Sequence, residues 1–328
     1  MTPKIIAGAT ATLMGIGALA MTANAQESRG FSGRQVQIEN FIGRVEIRTG
    51  GPDIRVEIRN PGDAAEDPVA SATSGGVVID GGQRVRNLNC RTNNGEMRIG
   101  RWMNSRPIED YPLLVITAPA GLDLAMGDSA FVGESGDLGS IDLSMNSCGR
   151  FEAGAIARDA ELNINGSGDV ITRDIGGNSR FRINGSGDIS VGDIAGNVTI
   201  SVNGSGDVDG GDVAGATEID INGSGDIELA GIASLDVGVS GSGDVRVDNI
   251  DGAFRASIAG SGDIRIAGGR AQPFEAYING SGDISFGGTA IDVTIRESGG
   301  GDVDIEAVEG AIDWRRNGRS VLRVGGAD

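Results

Sequence analysis

One five-residue phrase returns at a near-constant interval through this chain. It reads Asn165-Gly166-Ser167-Gly168-Asp169, and it recurs at Asn184 to Asp188, Asn203 to Asp207 and Asn222 to Asp226. Degenerate copies end at Asp244, Asp263, Asp283 and Asp302, so successive aspartates stand 18 to 20 residues apart. A fixed period of about 20 residues is the mark of a solenoid, in which each repeat stacks on its neighbours.

The columns around the phrase supply a core. Three residues before each Asn-like position stand Leu162, Phe181, Ile200, Ile219, Val237, Ala256, Ala276 and Ile295. One residue before it stand Ile164, Ile183, Val202, Ile221, Val239, Ile258 and Ile278. Immediately after the aspartates come Val170, Ile189, Val208, Ile227, Val245, Ile264, Ile284 and Val303, and six residues after the first five come Ile175, Ile194, Val213, Ile232 and Ile250. Apolar residues at every second position on both sides of a Gly-rich corner predict two strands per coil, with a short third side near the sixth position. Leu122, Leu124 and Met126 already occupy columns that Ile141, Leu143 and Met145 fill one coil later. The expected fold is therefore all-β: a single-stranded parallel β-helix with coils of about 19 residues, preceded by a short β-rich N-terminal region. Residues 121–328 are read as the β-helix, and Trp314 with Arg315, Arg316 and Arg319 as its C-terminal cap. Such a cap keeps the last coil from recruiting another strand.

Residues 26–120 are read as a segment that packs on or caps the solenoid. Arg44-Val45-Glu46-Ile47-Arg48 recurs as Arg55-Val56-Glu57-Ile58-Arg59 after a Gly50-Gly51-Pro52-Asp53 turn signal, so each has one apolar and one charged face. If the two paired, Arg and Glu would alternate across them. Asn60 to Gly76 reads as a polar loop. Arg91 to Tyr111 is the least regular stretch, and it holds Arg98, Arg101, Trp102 and Arg106. Two readings stand for it: a glycan or partner contact, or a cover for a solenoid end or flank.

Residues 1–25 read as a signal peptide. Lys4 is the charged start, Ile5 to Met21 the apolar run, and Ala23-Asn24-Ala25 the small-residue cleavage site. No later apolar run could span a bilayer. Export to the periplasm or the outer cell surface is the expectation. Lys4 is the only lysine, so its removal takes the formal charge from −19 to −20. A surface of that sign repels nucleic acid and anionic lipid and attracts cations. The chain has no histidine, which removes the usual general base and zinc ligand. Its two cysteines, Cys90 and Cys148, would meet an oxidising compartment. Residues 58 apart would lie about three coils from one another in the stack, too far to join. Either the segment around Cys90 folds back over the coil of Cys148 and the two bridge, or they remain separate thiols.

The aspartate column poses an electrostatic problem. Carboxylates about 4.8 Å apart repel by roughly 0.9 kcal/mol per neighbouring pair even at the dielectric of water. One answer is that each accepts hydrogen bonds from amides of its own corner. The other is a row of Ca²⁺ ions along Asp169, Asp188, Asp207, Asp226, Asp244, Asp263, Asp283 and Asp302, since calcium favours oxygen ligands. Asn above Asn can form an amide ladder, interrupted at Ser240, Ala259 and Ser298. No catalytic residue and no cofactor other than this Ca²⁺ is expected. A polysaccharide lyase or hydrolase would need an acid pair or a calcium site with a base. The corners are short, and arginine stays protonated.

With its Asn/Ser-Gly-Ser-Gly-Asp-Ile/Val repeats and the Phe-x-Gly-x-Val-x-Ile strand of Phe41 to Ile47, the chain resembles the bacterial auto-transporter adhesin head family, the GIN domain. That resemblance implies an exported β-helical envelope protein with an adhesive role and no established catalytic residues. The expected function is thus a non-catalytic, adhesin-like structural protein that binds an envelope or surface component, glycan or protein, and acts as a monomer. The alternatives are a Ca²⁺-binding β-roll-like surface protein and a polysaccharide lyase or hydrolase on a β-helix.

Overall fold

The computed structural model describes residues 28–85, 88–93, 96–100 and 104–325. The segment read as a signal peptide lies outside these residues, as do Arg101 and Trp102. The described chain is all-β, a parallel solenoid of about 11 turns with roughly 19-residue spacing. Its one helical element is a 3-10 turn, Ile108–Asp110.

The coil of Ala160 shows how the repeat folds. Strand Ala160–Gly166 carries Leu162 and Ile164 inward, the corner turns, and strand Asp169–Ile171 carries Val170 inward. The third side is one bridging residue, and Ile156, Ile175, Ile194 and Val213 pair in parallel up the stack. Each strand lies in register on its counterpart 19 residues away, so Leu162 faces Phe181 and Asn165 faces Asn184. Because side chains alternate in and out along a strand, in-register stacking turns every sequence column into a spatial column. The apolar columns named above are all buried and form one continuous core. Phe254, Phe274 and Phe286 add an aromatic file to it, with ring centroids 4.7 and 5.6 Å apart.

The later coils differ from the two-strand expectation. From Val213 onward each coil has a single long strand: Val213–Gly223, Ile227–Gly241, Val245–Ile258, Ile264–Ile278, Ile284–Glu297 and Val303–Arg316. These strands bend through two corners by register shifts, for example between Ile232 and Leu235. A bulge bends a strand without ending its pairing. Only the Ser-Gly-Asp corner still interrupts every coil.

Residues before 121 contribute to the stack itself. Strand Gln35–Glu39 pairs in parallel with Asp123 to Gly127, and Ile42–Thr49 with Ala130 to Ser135. Beyond them a further level is assembled from two separated strands, Gly76–Asp80 on the first side and Leu113–Ala118 on the second. Antiparallel strands close this end: Val69–Ala72, inside the stretch read as a polar loop, lies on the first, and Ile54–Arg59 on the second. The two Arg-Val-Glu-Ile-Arg segments do not pair with each other. They flank Leu113–Ala118, so that Val115 has Glu46 on one side and Glu57 on the other.

The excursion between Asp80 and Leu113 is more regular than its sequence suggests. Asn89–Asn93, Glu96–Gly100 and Arg106–Pro107 form a three-stranded antiparallel sheet. An Asn94-Gly95 pair stands between the first two in the sequence, a strong hairpin signal. Ile99, Ile108 and Tyr111 make a small second core with Val85, packed on Ile42, Ala130 and Cys148 of the solenoid. Tyr111 Oη donates to the Ile99 carbonyl at 3.1 Å. Cys90 and Cys148 are joined by a disulfide, with Cα atoms 6.2 Å apart. The segment of Cys90 does fold back over the coil of Cys148, and the excursion covers a flank of the first coils.

At the C-terminal end the inward column Ile164 to Ile278 stops at Glu297, which is buried. Trp314, one coil on, donates from Nε1 to Glu297 Oε2 at 3.1 Å. Arg316 stacks on the Trp314 ring, 5.1 Å from its centroid. A carboxyl side chain thus ends the run of apolar residues in this column.

Candidate functional site: the Asn-Ser-Asp corner row

Stacking brings the corner phrases together as three parallel rows on one edge of the solenoid. Two glycines make each corner. Gly185 has φ +148°, a region that L side chains rarely adopt, and a Cβ there would sit 2.1 Å from the Gly166 carbonyl oxygen. Gly187 is needed for proximity, because its Cβ would sit 2.1 Å from the Gly168 oxygen. The serine between them donates its backbone N–H to the preceding coil, as Ser186 does to Gly166 O at 2.8 Å.

The aspartates answer their own repulsion in a way the sequence reading did not foresee. Each Oδ1 accepts not from its own corner but from the backbone N–H of the next coil's aspartate. Asp207 N donates to Asp188 Oδ1 at 3.0 Å, and the same bond joins 226 to 207, 244 to 226, 263 to 244, 283 to 263 and 302 to 283, at 2.7 to 2.9 Å. Val321 N closes the row on Asp302 at 2.8 Å. Each carboxylate thus holds one charge-assisted bond to the backbone above it. Arginines bound the row: Arg150 stands in register with Asp169, and Arg323 Nη2 lies 3.0 Å from Asp302 Oδ2.

The asparagine row forms the amide ladder over its first steps. Nδ2 of Asn165 donates to Asn146 Oδ1 at 2.9 Å, Asn184 to Asn165 at 2.9 Å and Asn203 to Asn184 at 3.2 Å. Two further ladders escaped the sequence reading. Oδ1 of Asp174, Asp193 and Asp212 accepts from the backbone N–H of Asp193, Asp212 and Gly231. Asp159, Asn178 and Asn197 do the same for Asn178, Asn197 and Ala216. Their signal was the same 19-residue recurrence, at the other two corners of the coil.

The calcium reading fits this geometry poorly. A calcium site needs six to eight oxygens around one ion. Here each level offers one aspartate whose Oδ1 already accepts a backbone bond, and Asp244 Oδ2 meets Arg246 at 3.1 Å. Among the described residues no group of three or more His, Cys, Asp or Glu is placed to hold a metal.

Among the described residues the carboxyls of Asp142, Asp169 and Asp209 are pushed upward. Burial raises Asp169, with the neighbouring Asp188 charge adding to it. Burial also raises Asp209, helped by Glu228, and Asp142, helped by Glu161. Such groups hold protons in the folded state at pH values where the unfolded chain has released them. Their penalty is therefore fully present at neutral pH and is relieved as pH falls through the raised values toward 3.8. Asp313, lowered by its bond to Arg296, acts in the opposite sense, and its contribution is lost only as pH falls below 3.8. As pH falls through their raised range toward 3.8 these groups are expected to add stability, and the Asp169→Asn, Asp209→Asn double variant to lose most of that gain. Thermal melts of parent and variant against pH check this; parallel profiles in the acid range would refute it.

A parallel β-solenoid whose corners carry Asn-Gly-Ser-Gly-Asp ladders is the class that fold and rows define. The sequence matches the family described as "Putative auto-transporter adhesin, head GIN domain" over residues 68–250 and 248–312. The chain belongs to that family. No curated protein matches the sequence. Among solved structures, a crystal structure titled as a putative lipid binding protein from Parabacteroides distasonis aligns with 92% of this chain and 97% of its own, at 13% identity and a TM-score of 0.28.

Proposed function

We propose that this protein is an exported, non-catalytic binding protein of the cell envelope, presenting its ligand surface along a rigid solenoid. The observation that carries the reading is the long, mostly polar corner surface. From Asp169 to Asp302 the row spans seven steps, about 34 Å at strand spacing, and its Asn and Ser side chains stand largely exposed. The aspartates are held by the backbone of the next coil and the first asparagines by one another, so much of the surface is preorganised, which lowers the ordering cost of binding. Membership of an adhesin-head family supports a surface partner. The leader-like residues 1–25 support export, to the periplasm or the outer surface, and no described helix is long and apolar enough to cross a membrane. A catalytic reading would need converging acid and base groups. Here the row's carboxylates are committed to backbone N–H groups.

The test is a glycan and envelope-fraction array probed with the protein lacking residues 1–25. Saturable retention of one class of envelope component is expected, without its cleavage. Absence of retention on every fraction would end the binding reading, and cleavage of a retained polysaccharide would replace it with an enzymatic one.

A further inference from the structure

The first face of the solenoid holds a feature that the corner row does not explain. A trough of about 820 Å³ runs along the axis at the start of the first-side strands, from the level of Gln35 to that of Asn197. That is five steps between levels, about 24 Å. Its floor is backbone of paired strands. One wall is a column in register, Asp142, Glu161, Arg180 and Thr199. The other is the third-corner ladder, including Asp159, Asn178 and Asn197. The ladder leaves the amide nitrogens of those two asparagines as donors, because its bonds use their oxygens.

The two walls differ in how far their groups are satisfied. Glu161 is bound by Arg182 at 2.8 Å, and Asp123, at one end, by Arg158 and Ser140. Asp142, Arg180 and Thr199 make no side-chain hydrogen bond or ion pair among the described residues. An acceptor, a donor and a hydroxyl that can do both are thus left open on one line, interleaved with Glu161.

We propose that this trough is a further ligand-binding face beside the corner row, and that it takes an extended, uncharged polysaccharide lying along the solenoid axis. The inference rests on the binding function proposed above and names its ligand class. Short polar side chains with both donors and acceptors match a chain of hydroxyls, each able to give and accept a bond. An anionic polymer would meet four carboxylates and a protein of formal charge −19. An extended peptide binds by adding to a free strand edge with its side chains in pockets, and the trough floor is already paired on both sides.

The test is titration calorimetry on the chain lacking residues 1–25, with uncharged β-linked glucose oligosaccharides of graded length. Affinity is expected to grow with each added sugar and level off once the oligosaccharide spans the trough. The triple variant Asp142→Ala, Arg180→Ala, Thr199→Ala should weaken binding by about tenfold or more. The pair Glu228→Ala, Arg265→Ala, on the second face, should leave it unchanged, and circular dichroism melts establish that each variant is folded. Galacturonate oligomers or a basic peptide binding more tightly than the glucans would overturn the proposal. So would equal losses in both variants, no glucan binding, or affinity independent of length. If the array retains an envelope component that the triple variant still binds as the parent does, the binding function stands and the trough assignment falls.

Discussion

Gly204→Ala is expected to destabilise the protein by about 3–5 kcal/mol, the range of severe single substitutions. Gly204 has φ +144°, and an added Cβ would lie 2.0 Å from the Gly185 carbonyl oxygen. That oxygen also accepts the Ser205 backbone N–H at 2.8 Å. The methyl group would therefore both strain the corner and push apart a bond between coils. The obstacle is backbone on the coil below, so no side chain can swing away to relieve it. Ser205→Ala, at the exposed next position, should change stability by no more than about 0.5 kcal/mol. Urea unfolding of the two variants against the parent measures the contrast, and equal midpoints would show that the corner tolerates a side chain.

Removing the disulfide is the second large change. Cys90 and Cys148 close a loop of 58 residues, for which the chain-entropy account gives about 4 kcal/mol. The expected effect is local. The excursion's core is small, centred on Ile99, Ile108 and Tyr111, whereas the coils from Ala160 onward share one continuous core. In the Cys90→Ser, Cys148→Ser variant, amides of Asn89–Asn93 and Glu96–Gly100 should lose hydrogen-exchange protection. Those of the strands from Ala160 to Gly204 should keep theirs, because stability in a stack is set by each coil and its neighbours. A uniform loss along the whole chain would mean that the bridge supports the solenoid and not the excursion alone.

The coil of Trp314 illustrates what a column reading can and cannot see. Trp314 stands out in the sequence beside three arginines. Glu297 does not, since it stands one position before a degenerate corner and looks like any exposed acid in the sequence. Only stacking shows that its column is the inward one, running up from Ile164. The same holds for the aspartates. Their spacing was plain, yet their hydrogen-bond partner lies on the next coil, and a one-dimensional reading looks first within the turn.

By itself the sequence determined the coil length, the inward columns and the two-glycine corner, because in-register stacking maps period directly onto space. It also made plain that any bridge between Cys90 and Cys148 needed a chain reversal. The tertiary structure decided what non-sequential pairing controls. It placed Gly76–Asp80 and Leu113–Ala118 on one level beyond Gln35–Glu39 and Ile42–Thr49, and it set the excursion over Cys148. It also aligned Asp142, Arg180 and Thr199 as an open line beside a satisfied ladder. Periodicity places a residue on a face, but whether its hydrogen-bonding groups are already taken depends on neighbours 19 residues away, which only the folded stack brings within reach.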